Sequence, residues 1–214
     1  MASDVIDNSD LLQRAHDGDE QALRKLFEPH RERLRKMVRL RLDRRLRGQF
    51  SSSSVLEDVC REAVRRIHEY KSGSALPFFL WLRLLTGQRI QELHRQHLGS
   101  EGWEGGPEVS LYRGALPEAN SVSLAAQLLG HATAAGQAAA RADMQIRLQD
   151  AINGMDSVDR EVLTLCHFEE LSNAEAAAVL GLDKTAATQH YLRALKRLKE
   201  ILSSIPGFFK NPRG

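Results

Sequence analysis

The stretch that decides the fold reads Leu171-Ser172-Asn173-Ala174-Glu175-Ala176-Ala177-Ala178-Val179-Leu180-Gly181-Leu182-Asp183. Ser172 and Glu175 stand at S-x-x-E spacing, where a hydroxyl and a carboxylate each satisfy a backbone N–H at the start of a helix. Ala176, Ala177, Val179 and Leu180 supply that helix with apolar surface, Gly181 breaks it, and Asp183 can cap another. A short helix, a glycine turn and a longer helix make the spacing of a helix-turn-helix.

Downstream, plotting residues from Lys184 at roughly 100° apart separates two faces. Ala187, Tyr191, Ala194, Leu195 and Leu198 gather on the side that must pack, and Thr185, Ala186, Gln189, His190, Arg193, Lys196 and Arg197 fall opposite. The outer face thus offers hydrogen-bonding groups near its start, beside Lys184, and cations further along. A recognition helix needs both, the first for base edges and the second for phosphates. An ordinary amphipathic surface helix would account for the two faces, but not for the capping box and glycine turn ahead of them.

Upstream, Asp156 can cap a helix carrying Val162, Leu163, Leu165 and Phe168, and capping also accounts for Asp159 better than acid–base work does. A helix ending near Ile152 precedes it, and before that comes a weakly helical, Ala-rich stretch from Ser121 to Gly136. Between Gly99 and Pro117 glycine, proline and acids crowd together and no period emerges. The N-terminal third is helical again, starting with Asn8 to His16. A second helix is expected from a capping-box-like Asp17 and Glu20, carrying Ala22, Leu23, Leu26 and Phe27. It meets Pro29 and resumes through Leu34, Met37, Val38 and Leu40 to end near Gly48. Ser51–Ser54 can cap a helix from about Val55 to Tyr70, Lys71–Ser74 reads as a turn, and Pro77 opens a helix to about His97. No strand pattern and no repeat interrupts this. The expected fold is all-α, with small helical domains at 8–98 and 137–205 joined by an irregular linker at 99–136.

Composition narrows the function classes. The chain of 214 residues is 42% hydrophobic and 27% charged, enough for modest cores. No apolar run approaches the roughly 20 residues a bilayer needs, and Met1–Asp10 lacks a signal-peptide pattern, so the expected location is the cytoplasm. Net charge is only +2, but Arg and Lys crowd the stretch from Arg31 to Arg47 and the chain from Lys184 onward. Two basic regions fit a polyanion held at two places. Cys60 and Cys166 lie far apart within apolar patterns and read as core residues. His94 and His97 stand one helical turn apart without a third evident ligand, so no metal is expected. Phosphate loops, serine elbows and H-E-x-x-H motifs are missing, so no catalytic residue, enzyme activity or cofactor is assigned.

The segments Asp159-Arg160-Glu161-Val162-Leu163, Leu171 to Ala177, Leu180-Gly181-Leu182 and Arg193-Ala194-Leu195-Lys196-Arg197-Leu198 resemble the DNA-binding region four of extracytoplasmic-function sigma factors. Trp81-Leu82, followed by Gln88, Glu92 and Arg95, is similar to the W-L…N…D…R helix of their region two, and Val55-Leu56-Glu57-Asp58 to its V-V-Q-E-like stretch. The likeness covers roughly residues 10–97 and 140–203 and implies a sigma factor whose partners are core RNA polymerase and promoter DNA, with room for an anti-sigma factor. It further implies that Glu57, Asp58 and Arg61 hold the polymerase clamp. Arg83, Gln88, Arg89, Glu92 and Arg95 would melt and capture the minus-ten element. Lys184, Thr185, Thr188, Gln189, His190, Arg193, Lys196 and Arg197 would read the minus-thirty-five element.

Cations and rings suit unstacked single strands. Arg83, Arg89 and Arg95 supply the former, whereas Trp81, inside an apolar run, reads as core, leaving the Lys71–Ala75 loop as the better place for a flipped base. Three departures stand out. Ser51–Ser54 replaces the acidic approach usual there, Thr188-Gln189-His190 replaces a K-S-R-like triplet, and Gly87 interrupts a helix at about 1 kcal/mol against alanine. The competing readings are a stand-alone helix-turn-helix regulator with a sensing or dimerising N-terminal half, and a region-two mimic that sequesters polymerase.

Overall fold

A computed structural model describes residues 8–70, 76–98, 119–130 and 138–204. Every regular element among them is helical. The chain divides into two compact units, Met1–Pro117 and Glu118–Gly214.

In the first unit, α1 (Asn8–His16) packs on α2 (Glu20–Phe27), and α4 (Ser52–Arg66) packs against α2, α3 (Arg31–Arg41) and α5 (Phe78–Leu98). Leu23, Phe27, Leu34, Met37, Leu56, Leu82, Ile90 and Leu93 form its core. Gly18, at φ +94°, turns the chain between α1 and α2. Asp19 then caps α2, its Oδ1 accepting from the Gln21 and Ala22 amides at 2.9 and 3.0 Å. The cap expected at Asp17 is therefore Asp19, because the glycine delays the helix start by two positions. Proline 29 falls in a 3-10 turn, Glu28–His30, which joins α2 to α3 with little change of direction in the backbone angles.

Helix α3 ends earlier than its sequence pattern suggests. Leu42 swings to extended backbone, and Arg47 reaches back, donating from Nη2 to the carbonyls of Arg39 at 2.8 Å and Leu42 at 3.0 Å. A guanidinium on the last carbonyls of a helix satisfies groups that no amide can reach. The basic run is largely consumed in this way. Arg31 pairs with Glu57, Arg35 with Glu32 and Arg45 with Asp43, Arg33 lies 3.6 Å over the Phe79 ring, and Arg41 is buried. Several cations of the run at 31–47 thus have carboxylate, carbonyl or ring partners within the unit, while Arg39, Arg44 and Arg45 remain exposed. Trp81 is core, as expected, at 5% exposure.

In the second unit, α6 (Ser121–Gly130), within the stretch read as linker, packs on α7 (Ala138–Asn153). Helix α10 (Lys184–Ser204) packs on α7, α8 (Ser157–Leu163) and α9 (Asn173–Leu180). Asp156 caps α8, accepting from the Val158 and Asp159 amides. Beyond Leu163 the helix widens into a π turn, Thr164–Phe168, where the sequence pattern suggests a regular helix. Thr164 Oγ1 donates to the Arg160 carbonyl at 2.8 Å, a side-chain bond that competes with the regular ladder.

The capping box forms as expected. Ser172 Oγ accepts from the Glu175 amide at 3.2 Å, and Glu175 accepts from the Ser172 amide at 2.7 Å. Gly181 is left-handed at φ +62°, and the amides of Leu182 and Gly181 close the helix end onto the carbonyls of Ala177 and Ala178. Gly181→Val is expected to destabilise the second unit by about 1–2 kcal/mol, the cost of a branched residue in that conformation. Thermal melting of the full chain checks this; an unchanged midpoint for the second unit would mean that the turn tolerates another conformation.

Candidate nucleic-acid and partner interface

Helix α10 starts on Asp183, whose Oδ1 accepts from the Ala186 amide at 2.8 Å. Ala187, Ala194, Leu198 and Ile201 are buried against the unit, with Tyr191 and Leu195 half-buried beside them. Lys184, Thr185, Gln189, Arg193, Lys196 and Arg197 are exposed, so the outer face carries the polar and cationic groups assigned to it. Thr188 and His190 are half-buried instead. The Thr188 hydroxyl donates to the Lys184 carbonyl at 2.8 Å and accepts from Asn173 Nδ2 at 3.4 Å. It thereby joins α9 to α10 with both its hydrogen-bonding roles in use.

The expectation that Asp159 serves as a cap is corrected: the cap is Asp156, and the Asp159 carboxylate turns to α10. Arg193 donates to it from Nε at 3.1 Å and from Nη2 at 3.0 Å, and His190 Nδ1 lies 2.6 Å from its Oδ1. Asp159 lies 31 positions before His190 and 34 before Arg193, so no local pattern reveals its contact with them. Asp156, Asp159 and His190 could together offer ligand atoms to a metal. The Arg193 guanidinium already stands where a cation would balance Asp159.

The region-two residues converge on a groove of 510 Å³ between α4 and α5, lined in part by Asp58, Arg61, Arg66, Gln88, Arg89 and Glu92. Asp58 pairs with Arg61 and accepts from Arg89 at 2.8 and 3.1 Å. Arg89 also reaches Glu92 at 2.9 Å, and Arg66 donates to Gln88 Oε1 at 2.9 Å. Residues expected to serve polymerase and residues expected to serve DNA thus share one wall. Glu57 lies apart, paired with Arg31 and with Arg24 at 3.6 Å; the Arg31 hydrogen bond holds its carboxyl below the usual range. Arg95 is exposed. Arg83 is 3% exposed, which corrects its assignment to DNA: a guanidinium buried within the unit is not offered to a strand outside it. The Lys71–Ala75 loop lies outside the described residues.

His94 is committed elsewhere. Its Nε2 accepts from the Asp43 amide at 3.0 Å, and burial pushes its pKa below the ordinary histidine value despite nearby Asp43. The first unit therefore binds fewer protons than the unfolded chain at mildly acid pH. The resulting stability is complete above about pH 6.5 and is lost as pH falls through the depressed folded value. The melting midpoint of the first unit is expected to drop between pH 7.5 and 5.5, and His94→Gln, which keeps an acceptor without the titration, is expected to remove that step. An identical step in the variant would assign the acid sensitivity to another group. Cys166 is half-buried, its thiol pushed up to about 11 by burial, which leaves little thiolate for metal or redox chemistry.

Comparison with known proteins follows this geometry. Residues 145–198, spanning most of α7 through α10, match the family described as sigma-70, region 4. Over 183 residues the chain is 26% identical to the ECF RNA polymerase sigma factor SigD of Mycobacterium bovis and of Mycobacterium tuberculosis, covering 86% of this chain and 78% of the relative. It also shares its fold with CnrH, solved in complex with the cytosolic domain of CnrY, at a TM-score of 0.53 and 20% identity, covering 91% of this chain and 96% of that one. The chain is thus similar to ECF RNA polymerase sigma factors over most of its length.

Proposed function

We infer that this protein is a sigma factor, which binds core RNA polymerase and directs promoter-specific initiation of transcription. The observation that carries this is the sigma-70 region-four match, falling on a helix-turn-helix whose second helix exposes Lys184, Gln189, Arg193, Lys196 and Arg197. In this reading α10 enters the major groove of the minus-thirty-five element. The α4–α5 groove, through Asp58 and Arg61, meets the polymerase clamp, with Glu57 beside it, and Gln88, Arg89, Glu92 and Arg95 engage the opened minus-ten strand. Phosphodiester chemistry belongs to the polymerase, and the protein acts where the polymerase is, in the cytoplasm. No described helix is long and apolar enough to cross a membrane.

Two weak sites held on one scaffold bind far better together than apart, because the second contact forms at high effective concentration. Neither unit is expected to direct transcription alone. The test is run-off transcription with bacterial core polymerase, the full chain and a promoter library. Transcripts downstream of a shared two-part motif are the expected result. Sequence-specific duplex binding without transcripts would instead establish a stand-alone regulator.

A further inference from the structure

We propose that Asp159, outside the recognition helix, sets the base preference of Arg193 by holding one edge of its guanidinium and leaving the other for a guanine. This rests on the reading of α10 as the promoter-reading helix.

A guanidinium has a side edge, made by Nε–H and one Nη2–H, and an end edge, made by hydrogens of Nη1 and Nη2. Asp159 takes the side edge, at 3.1 and 3.0 Å, with a carboxylate whose side chain is only 12% exposed. The Arg193 side chain is 61% exposed. A buried acceptor thus grips an exposed donor and fixes its orientation before DNA arrives.

His190 decides whether the end edge stays available. Its Nδ1 lies 2.6 Å from Asp159 Oδ1 and 2.7 Å from Arg193 Nη2. One ring nitrogen cannot donate to the first and accept from the second. With its proton on Nδ1 and donated to Asp159 Oδ1, the imidazole accepts nothing from Arg193 through that nitrogen. The second Nη2 hydrogen and those of Nη1 are then left for a ligand with two adjacent acceptors. In the major groove guanine offers such a pair, O6 and N7. Asp156, Lys196, Arg197 and Glu200 line the same pocket as Arg193, and Asp156 accepts through its Oδ1 from the α8 amides it caps.

Asp159 is in these terms a positioning residue. The experiment compares the full-length wild type with Asp159→Asn, Arg193→Lys and the double variant, by run-off from the promoter library with core polymerase and by thermal melting. The wild type is expected to prefer guanine at one position of the upstream element. Each single variant should lose that preference by roughly tenfold, with other positions unchanged, because lysine lacks the fork and asparagine lacks the second acceptor. The double variant should be no worse than either, and Asp159→Glu should restore part of the preference. If Arg193→Lys loses the guanine preference while Asp159→Asn keeps it, the proposal is overturned although the promoter reading stands. A loss spread evenly over all positions, with a lowered midpoint, overturns it in favour of a purely structural contact. A wild type with no upstream preference overturns the reading of α10 itself, and the proposal with it.

Discussion

Phe27→Ala is expected to destabilise the first unit by about 3–5 kcal/mol, the range for removing a fully enclosed aromatic ring. The ring is 1% exposed, at the end of an α2 that packs on both α1 and α4. Helix α4 carries Asp58 and Arg61, so loosening its support removes one wall of the groove. Small domains have net stabilities of only about 5–15 kcal/mol, so the loss takes a large share of what holds this unit together. Core-polymerase binding should fall with it. The second unit buries its own core around Leu124, Leu148, Val162 and Leu165, and its melting should be unchanged. Calorimetry of the full chain together with a core-binding titration checks both parts. Loss of both transitions would show that the units fold as one.

Asp58→Arg is the second large effect. The carboxylate is the counter-ion of Arg61 and Arg89, and Arg65 and Arg66 line the same groove. Reversal adds a cation to a groove left with Glu62 and Glu92 as its anions, and also reverses the charge offered to a partner. Core affinity is expected to fall roughly tenfold or more, since truncating one member of a paired charge at an interface costs about 2–5 kcal/mol. The intramolecular share is separable from the intermolecular one. Combining Asp58→Arg with Arg89→Asp restores an opposite-charge pair across the α4–α5 seam and should recover the melting midpoint. If the clamp assignment holds, core binding stays weak in the double variant. Recovery of binding along with stability would place the contact elsewhere on the unit.

Much of the helix-turn-helix is legible locally. A capping box, a left-handed glycine and a capping aspartate act within three or four residues of themselves, so Ser172, Glu175, Gly181 and Asp183 declare their geometry in sequence. The same holds for the packing face of α10, where period alone separates Ala187, Ala194 and Leu198 from Lys184, Gln189 and Lys196. Competition among local partners is less legible. Asp17 and Asp19 both precede Glu20, and only the left-handed Gly18 decides between them. At the π turn, Thr164–Phe168, the Thr164 hydroxyl shares the Arg160 carbonyl with its own amide, a choice of partner that the sequence pattern does not show.

Charge is where sequence reasoning went furthest astray, and the physical reason is range. A cation's role depends on what faces it, and the facing group is often on another helix. Arg83 and Arg89 share one helix, yet one is enclosed by packing and the other bridges Asp58 and Glu92. By itself the sequence determined an all-helical chain with a helix-turn-helix and an outward cationic face, because periodicity, caps and glycine operate through the backbone nearby. Only the tertiary structure decided which charges are used internally: that α4 and α5 form one groove, and that Asp159 holds Arg193 and His190 from a neighbouring helix. Those pairings join residues more than twenty positions apart, and chain packing alone brings them within hydrogen-bonding distance.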